Sequence, residues 1–157
     1  MTTKPIGKKN IRIALGSDHA GYPVKKELIN LLSAEGYQVV DMGTHSEDRV
    51  DYPDFAFKVG KAVASGRCDR GILACGTGIG MCIAVNKVKS IRAASVWSVQ
   101  TARLAAEHNW ANVLCVSGRV ASISSIKKFV KVWMTTPPDR SERHKRRIGK
   151  ISKFEAK

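Results

Sequence analysis

Five short runs of apolar and β-branched residues, at 11–15, 38–42, 71–74, 91–96 and 112–116, alternate with stretches of helical periodicity. No other feature of this chain narrows its fold so far, because strand–helix alternation pays off only as a parallel sheet with helices on both faces. The helical stretches fall at about 23–35, 54–65, 79–87, 99–109 and 122–134, with Leu28, Leu31 and Leu32 on one face of the first. The expected architecture is a Rossmann-like three-layer sandwich around a five-stranded parallel sheet. In such sheets ligands bind beyond the carboxyl ends of the strands. Three marked segments fall there: Gly-Ser-Asp-His-Ala-Gly at 16–21, Cys-Gly-Thr-Gly-Ile-Gly at 75–80, and Ser-Gly-Arg at 117–119.

Pro137-Pro138 stops the helical pattern that contains Trp133, and a charged helical pattern resumes from Ser141 with Ile148 and Ile151 as its few apolar residues. A helix of that composition buries little against its own core and is expected to dock on a neighbouring subunit. The expected organisation is a polar basic segment at 1–10, a single domain at 11–136 and a basic helix or tail at 137–157.

The segment 75–80 carries the chemistry. Its glycines let backbone N–H groups turn toward one point, and a helix starting near Ile79 adds its positive end, so a negative charge formed there is stabilised. A thiol at the mouth of that loop is expected to have its pKa lowered from about 8.5 toward neutrality. The chemistry predicted for Cys75 is proton abstraction next to a carbonyl. The bland alternative is a small buried core cysteine beside a tight turn, and the hexapeptide alone does not choose between them. Asp18 ends the first strand where it can hold sugar hydroxyls or cap a helix, and the adjoining His19 can face an anion. His108-Asn109 closes the fourth helix, where a purely structural role is equally open. Arg119, Arg143 and Arg147 are candidate phosphate ligands, since the guanidinium fork matches phosphate oxygens and the last two share a helix face at i, i+4.

With 157 residues the chain can bury a full core without disulfides or metal. Its four cysteines include no Cys-x-x-Cys pair, and no histidine stands at zinc-finger spacing, so no metal and no cofactor is expected. No apolar run approaches a membrane span and no secretory signal is visible, which points to the cytoplasm with reduced thiols. The formal charge of +14 is concentrated at the ends, with eight Lys or Arg in residues 139–157. Polyanions are conceivable partners, but no aromatic stacking pattern accompanies the charge, and solvated surface residues are favoured over nucleic-acid binding.

Read together and in order, several segments closely resemble the B-type ribose-5-phosphate isomerase family, which includes galactose-6-phosphate isomerase subunits. The matching text comprises 16–21, Asp-Tyr-Pro-Asp-Phe-Ala at 51–56, 71–80, Val-Asn-Lys at 85–87, His-Asn at 108–109, Asn-Val-Leu at 112–114 and Arg-His-Lys-Arg-Arg at 143–147. The resemblance spans about 11–155. It implies a metal-independent aldose–ketose isomerase working through an enediolate, as a homodimer or dimer of dimers whose sites use both subunits. By the same resemblance Cys75 is the base moving a proton between carbon-1 and carbon-2, and Gly76, Thr77, Gly78 and Gly80 hold the enediolate oxygen. His108, with Thr77 nearby, opens the furanose ring. Asp18, Tyr52 and Asn109 hold sugar hydroxyls, and His19, Arg119, Arg143 and Arg147 bind phosphate. One branch of the family uses instead an acidic base one place after the last loop glycine; here that place is Met81.

Trp110 stands where the family usually has aspartate, and Trp97-Ser98 replaces smaller or more polar residues. Trp110 either narrows the site, covers a subunit boundary or is buried. The leading expectation is interconversion of ribose 5-phosphate and ribulose 5-phosphate in the pentose phosphate pathway. Two alternatives stand beside it: a six-carbon substrate such as galactose or allose 6-phosphate, and a non-catalytic polyanion or nucleic-acid binder.

Overall fold

The computed structural model describes residues 10–157, and the polar N-terminal segment expected at 1–10 lies almost wholly outside them. Five strands, β1 (Arg12–Ser17), β2 (Gln38–Asp41), β3 (Arg70–Cys75), β4 (Ala93–Ser95) and β5 (Val113–Ser117), form one parallel sheet in the order β2-β1-β3-β5-β4. The helices are α1 (Tyr22–Ala34), α2 (Tyr52–Ala64), α3 (Ile79–Val85), α4 (Val99–Glu107), α5 (Ile123–Thr135) and α6 (Glu142–Glu155). All five expected strands and all six expected helices are present, with ends displaced by one or two residues.

The runs read as continuously apolar because both faces of each central strand are covered. Side chains alternate with period two. Ile13 and Leu15, Ile72 and Ala74, and Leu114 and Val116 join Leu28 and Leu32 of α1, Ala102 of α4 and Ile126, Val130 and Trp133 of α5 in one core. Ala14, Leu73, Cys75, Val113 and Cys115 face the other way, onto Ala56 and Val59 of α2 and Met81 and Val85 of α3. Trp133 is fully buried; its indole N–H donates to the Ala111 carbonyl and Arg70 stacks over its ring at 4.8 Å.

Helix α3 stops two residues short of the expected end, and the cause is Asn86. Its side-chain amide donates back to the Cys82 carbonyl (2.9 Å) and across to the Ala93 carbonyl (3.0 Å), while its oxygen accepts the Ala93 N–H (2.8 Å). One side chain thus ends a helix and pins the edge strand β4. The second correction concerns Asp18. The N-cap of α1 is Gly21, with no side-chain cap, and Asp18 instead closes the preceding loop by accepting the Gly21 N–H at 2.9 Å.

Candidate active site

Strand order reverses between β1, which leads to β2 at one edge, and β3, which leads to β5 on the other side, so a crevice opens at their carboxyl ends. Three loops meet there through backbone bonds. Asp18 N–H donates to the Ala74 carbonyl (3.2 Å), Gly118 N–H to that of Cys75 (2.7 Å), and Arg119 N–H to that of Gly76 (3.1 Å). Ser117 braces the junction: its hydroxyl donates to the Gly76 carbonyl at 2.8 Å and accepts the Val120 N–H at 2.8 Å.

Cys75 is the last residue of β3 and is buried. Gly78 sits at φ +81°, a left-handed conformation that side chains disfavour, and there its N–H turns back to point at the Cys75 sulfur, 3.1 Å away. A donor aimed at sulfur is the contact through which a thiolate is stabilised. Gly78 is also the N-cap of α3, so the same turn aims the start of that helix at the crevice.

Tyr52, His19, Arg119 and Thr77 gather on this side. Tyr52, the first residue of α2, lies so close over Gly80 that a Cβ there would come within 2.8 Å of the ring. His19 accepts the Val50 N–H on Nδ1 at 3.4 Å, leaving Nε2 for a second partner. The Arg119 side chain passes over Gly76. Thr77 is exposed, and its hydroxyl accepts the Ile79 N–H at 3.3 Å. Beside Thr77 a cavity of about 380 Å³ is lined by Ile79, Ser95, Trp97, Ser117 and Val120, which places Trp97 at the rim of the crevice. Met81, on α3, is fully buried in the same core cluster as Cys75 and carries no titratable group.

The remaining candidates are elsewhere. Helix α4 begins beside the end of β4 and runs back, so His108, its C-cap, and Asn109 lie just before Asn112, which precedes β5. Cys75 pairs with Ser117 at the far end of that strand. β5 itself is about 13 Å long, four steps of ~3.3 Å each, and the two groups lie toward its opposite ends. Arg143 and Arg147 on α6 belong to the His108 side, since His144 stacks its ring on that of His108 with centroids 4.4 Å apart and planes inclined by 18°. One chain therefore holds its candidate residues in two groups at opposite ends of its sheet.

Trp110 belongs to the His108 group and not to the crevice beside Cys75. Its indole N–H donates to the Asp139 carbonyl at 3.0 Å and Arg140 lies over its ring, so it ties the end of α4 to the approach of α6. His144 and Ser117 were not singled out by residue type or spacing. His144 was visible only as one letter of the run 143–147, and Ser117 as the start of a glycine turn; what they do depends on neighbours distant in sequence.

Of the other thiols, Cys82 on α3 has its pKa drawn down to about 7, chiefly by a hydrogen bond from Cys115, against its partial burial. Burial pushes Cys115 well up.

A parallel α/β sheet with a thiol and a donor-bearing glycine turn at its switch point has the parts that carbonyl or enediolate chemistry needs, and the relatives it matches name the class: an aldose–ketose isomerase. The family model described as Ribose/Galactose Isomerase matches residues 13–151, and the chain belongs to that family. It is 40% identical to ribose-5-phosphate isomerase B of Escherichia coli over 92% of this chain and 96% of that one. The structure of Clostridium thermocellum ribose-5-phosphate isomerase B superposes with a TM-score of 0.91 at 46% identity, covering 93% of this chain and 98% of the other. The Mycoplasma genitalium ribose-5-phosphate isomerase B structure with bound ribulose-5-phosphate gives 0.90 at 42% identity, covering 94% and 98%.

Proposed function

We propose that this chain is a ribose-5-phosphate isomerase that interconverts D-ribose 5-phosphate and D-ribulose 5-phosphate. The observation that carries the reading is the Cys75 sulfur under the Gly78 N–H at the mouth of a glycine turn, in a chain of this family. The thiolate takes the proton from carbon-2 of the open-chain aldehyde, and the negative charge moves to the carbonyl oxygen. The amides of loop 76–80 and the α3 terminus stabilise that enediolate while the hydroxyl proton on the carbon-2 oxygen passes to the carbon-1 oxygen; the Cys75 thiol then gives its proton to carbon-1, and carbon-2 is left as the ketone. Asp18, Tyr52 and Asn109 hold hydroxyls; His19, Arg119, Arg143 and Arg147 hold the phosphate.

The reading requires a homodimer. Ring opening moves the anomeric hydroxyl proton away, breaks the bond from carbon-1 to the ring oxygen and leaves a proton on that oxygen. His108 supplies this step, yet it lies a strand's length from Cys75 in its own chain, so the site is completed by His108, Asn109, Arg143 and Arg147 of the partner subunit. Ile79 and Ile83 on α3, and Ile151 and Phe154 on α6, are exposed apolar side chains that suit such an interface. In this proposal residues 11–136 form the catalytic body and 137–157 the arm that reaches the partner. Four unpaired thiols suit a reducing compartment, and among the described residues no helix is long and apolar enough to cross a membrane.

The test is conversion of ribose 5-phosphate by wild-type and Cys75→Ala protein in the presence of a chelator, with galactose and allose 6-phosphates in parallel. Pentose turnover lost in the variant supports the assignment. Turnover of a hexose phosphate alone would move the substrate to six carbons, and turnover that survives the substitution would place the base elsewhere.

A further inference from the structure

His144 is 2% exposed, so an imidazole is held in the interior of an otherwise polar, largely exposed helix. One face of the ring covers His108 at 4.4 Å. Its Nε2 lies 3.3 Å from Asp139 Oδ2 and 3.2 Å from Arg143 Nη2. Asp139 is itself held from four directions: its carboxylate accepts the N–H (2.8 Å) and hydroxyl (3.1 Å) of Ser141, its N–H donates to the Glu107 carbonyl (2.8 Å), and its carbonyl accepts the Trp110 indole. The Ser141 N–H first, and then His144 and His108 among the charges, keep the Asp139 carboxyl below the ordinary carboxylate range.

We propose that His144 is a positioning residue for His108, and that it couples phosphate capture by Arg143 to opening of the sugar ring. This rests on the isomerase reading above. The stack fixes the plane of the His108 ring. The shared Nε2 supplies the coupling: with a proton it donates to Asp139, and without one it accepts from Arg143, so it serves one neighbour at a time. When Arg143 turns to a phosphate, Nε2 is left to donate to Asp139, and the imidazole is anchored through a charge-assisted bond. His108 is then held by a ring that is itself held, as a group that must meet a proton within hydrogen-bond reach requires. Proton transfer between carbon-1 and carbon-2 uses neither His108 nor its support by His144, because it takes place at Cys75 in the other group.

That separation gives the test. Ribulose 5-phosphate is open-chain, since the hydroxyl that would close a furanose carries the phosphate, so exchange of its carbon-1 hydrogen needs Cys75 and no ring opening. Full-length wild-type, His144→Ala, His144→Phe and Asp139→Asn proteins are assayed for isomerisation of ribose 5-phosphate and, by NMR in D2O, for deuterium uptake at carbon-1 of ribulose 5-phosphate. For His144→Ala the expected result is isomerisation reduced at least about tenfold with exchange within about twofold of wild type. His144→Phe, which keeps the stack, should recover part of the loss. Asp139→Asn, altered at a partly exposed side chain, should show the same split at about threefold, and it decides the matter if His144→Ala does not fold. A parallel fall of both rates, or no fall in either variant, would overturn the assignment. Wild-type protein inert on both pentose phosphates would overturn the isomerase reading itself, an outcome separate from any behaviour of the variants.

Discussion

Placement of Cys75 and His108 at opposite ends of one sheet, together with the proposed shared site, makes a quantitative prediction about mixtures of inactive subunits. Cys75→Ala lacks the base and His108→Asn lacks the ring-opening group, so each homodimer is defective at both of its sites. If an active site takes Cys75 from one chain and His108 from the other, a heterodimer has one site with both residues intact and one with neither. Random pairing at equal amounts makes half the dimers mixed, each with one good site of two, so the mixture should regain about one quarter of wild-type activity under two-fold symmetry. The structural basis is the roughly 13 Å of β5 between the two groups, several times the reach of a hydrogen bond. The assay is co-expression with two affinity tags, isolation of the doubly tagged species, and measurement of ribose 5-phosphate turnover per subunit. The isolated heterodimer should show about half of wild-type activity, because the mixed species is then enriched twofold. Activity no greater than the sum of the two homodimers would refute the shared site and with it the placement of His108 opposite Cys75.

Three further outcomes follow from local geometry. Lys25 is buried and its ammonium pairs with Asp41, so Asp41→Ala strands a buried charge and should cost about 3 kcal/mol, whereas Lys25→Met should be nearly neutral; thermal unfolding compares them. Gly80→Ala puts a methyl within 2.8 Å of the Tyr52 ring and should raise KM several times more than it lowers kcat, and equal KM values would show that Tyr52 does not hold the sugar. With its pKa near 7, Cys82 should be alkylated ahead of Cys68 and Cys115, at a rate that rises through neutral pH, and Cys82→Ser should remove that early label in peptide mapping.

Much of the fold was legible along the chain because its signals are local. Apolar runs of four to six residues, glycine and proline punctuation and helical periodicity specify strands and helices from neighbours within a few positions. A boundary slipped where a side chain bonded to a distant strand, as Asn86 does with Ala93, and the capping role open to Asp18 fell to Gly21 because the carboxylate closes a loop. The thiol and glycine turn were legible for the same reason: six consecutive residues carry the sulfur, the left-handed glycine and the start of the helix.

What the chain order could not reveal is which candidate residues share a site. A parallel strand followed by a returning helix sends residues close in sequence to opposite ends of the sheet, and only the packed topology shows that His108 is parted from Cys75. The same packing brings residues thirty-six positions apart into one stack, so that His144 lies against His108 and Trp110 becomes a tie for Asp139. Residue types and spacing thus determined the class of chemistry and the fold that carries it, since both depend on short-range patterns. The separation of the candidate residues into two groups was decided by the tertiary structure, because distance in space is set by the sheet and not by the count of residues between two groups.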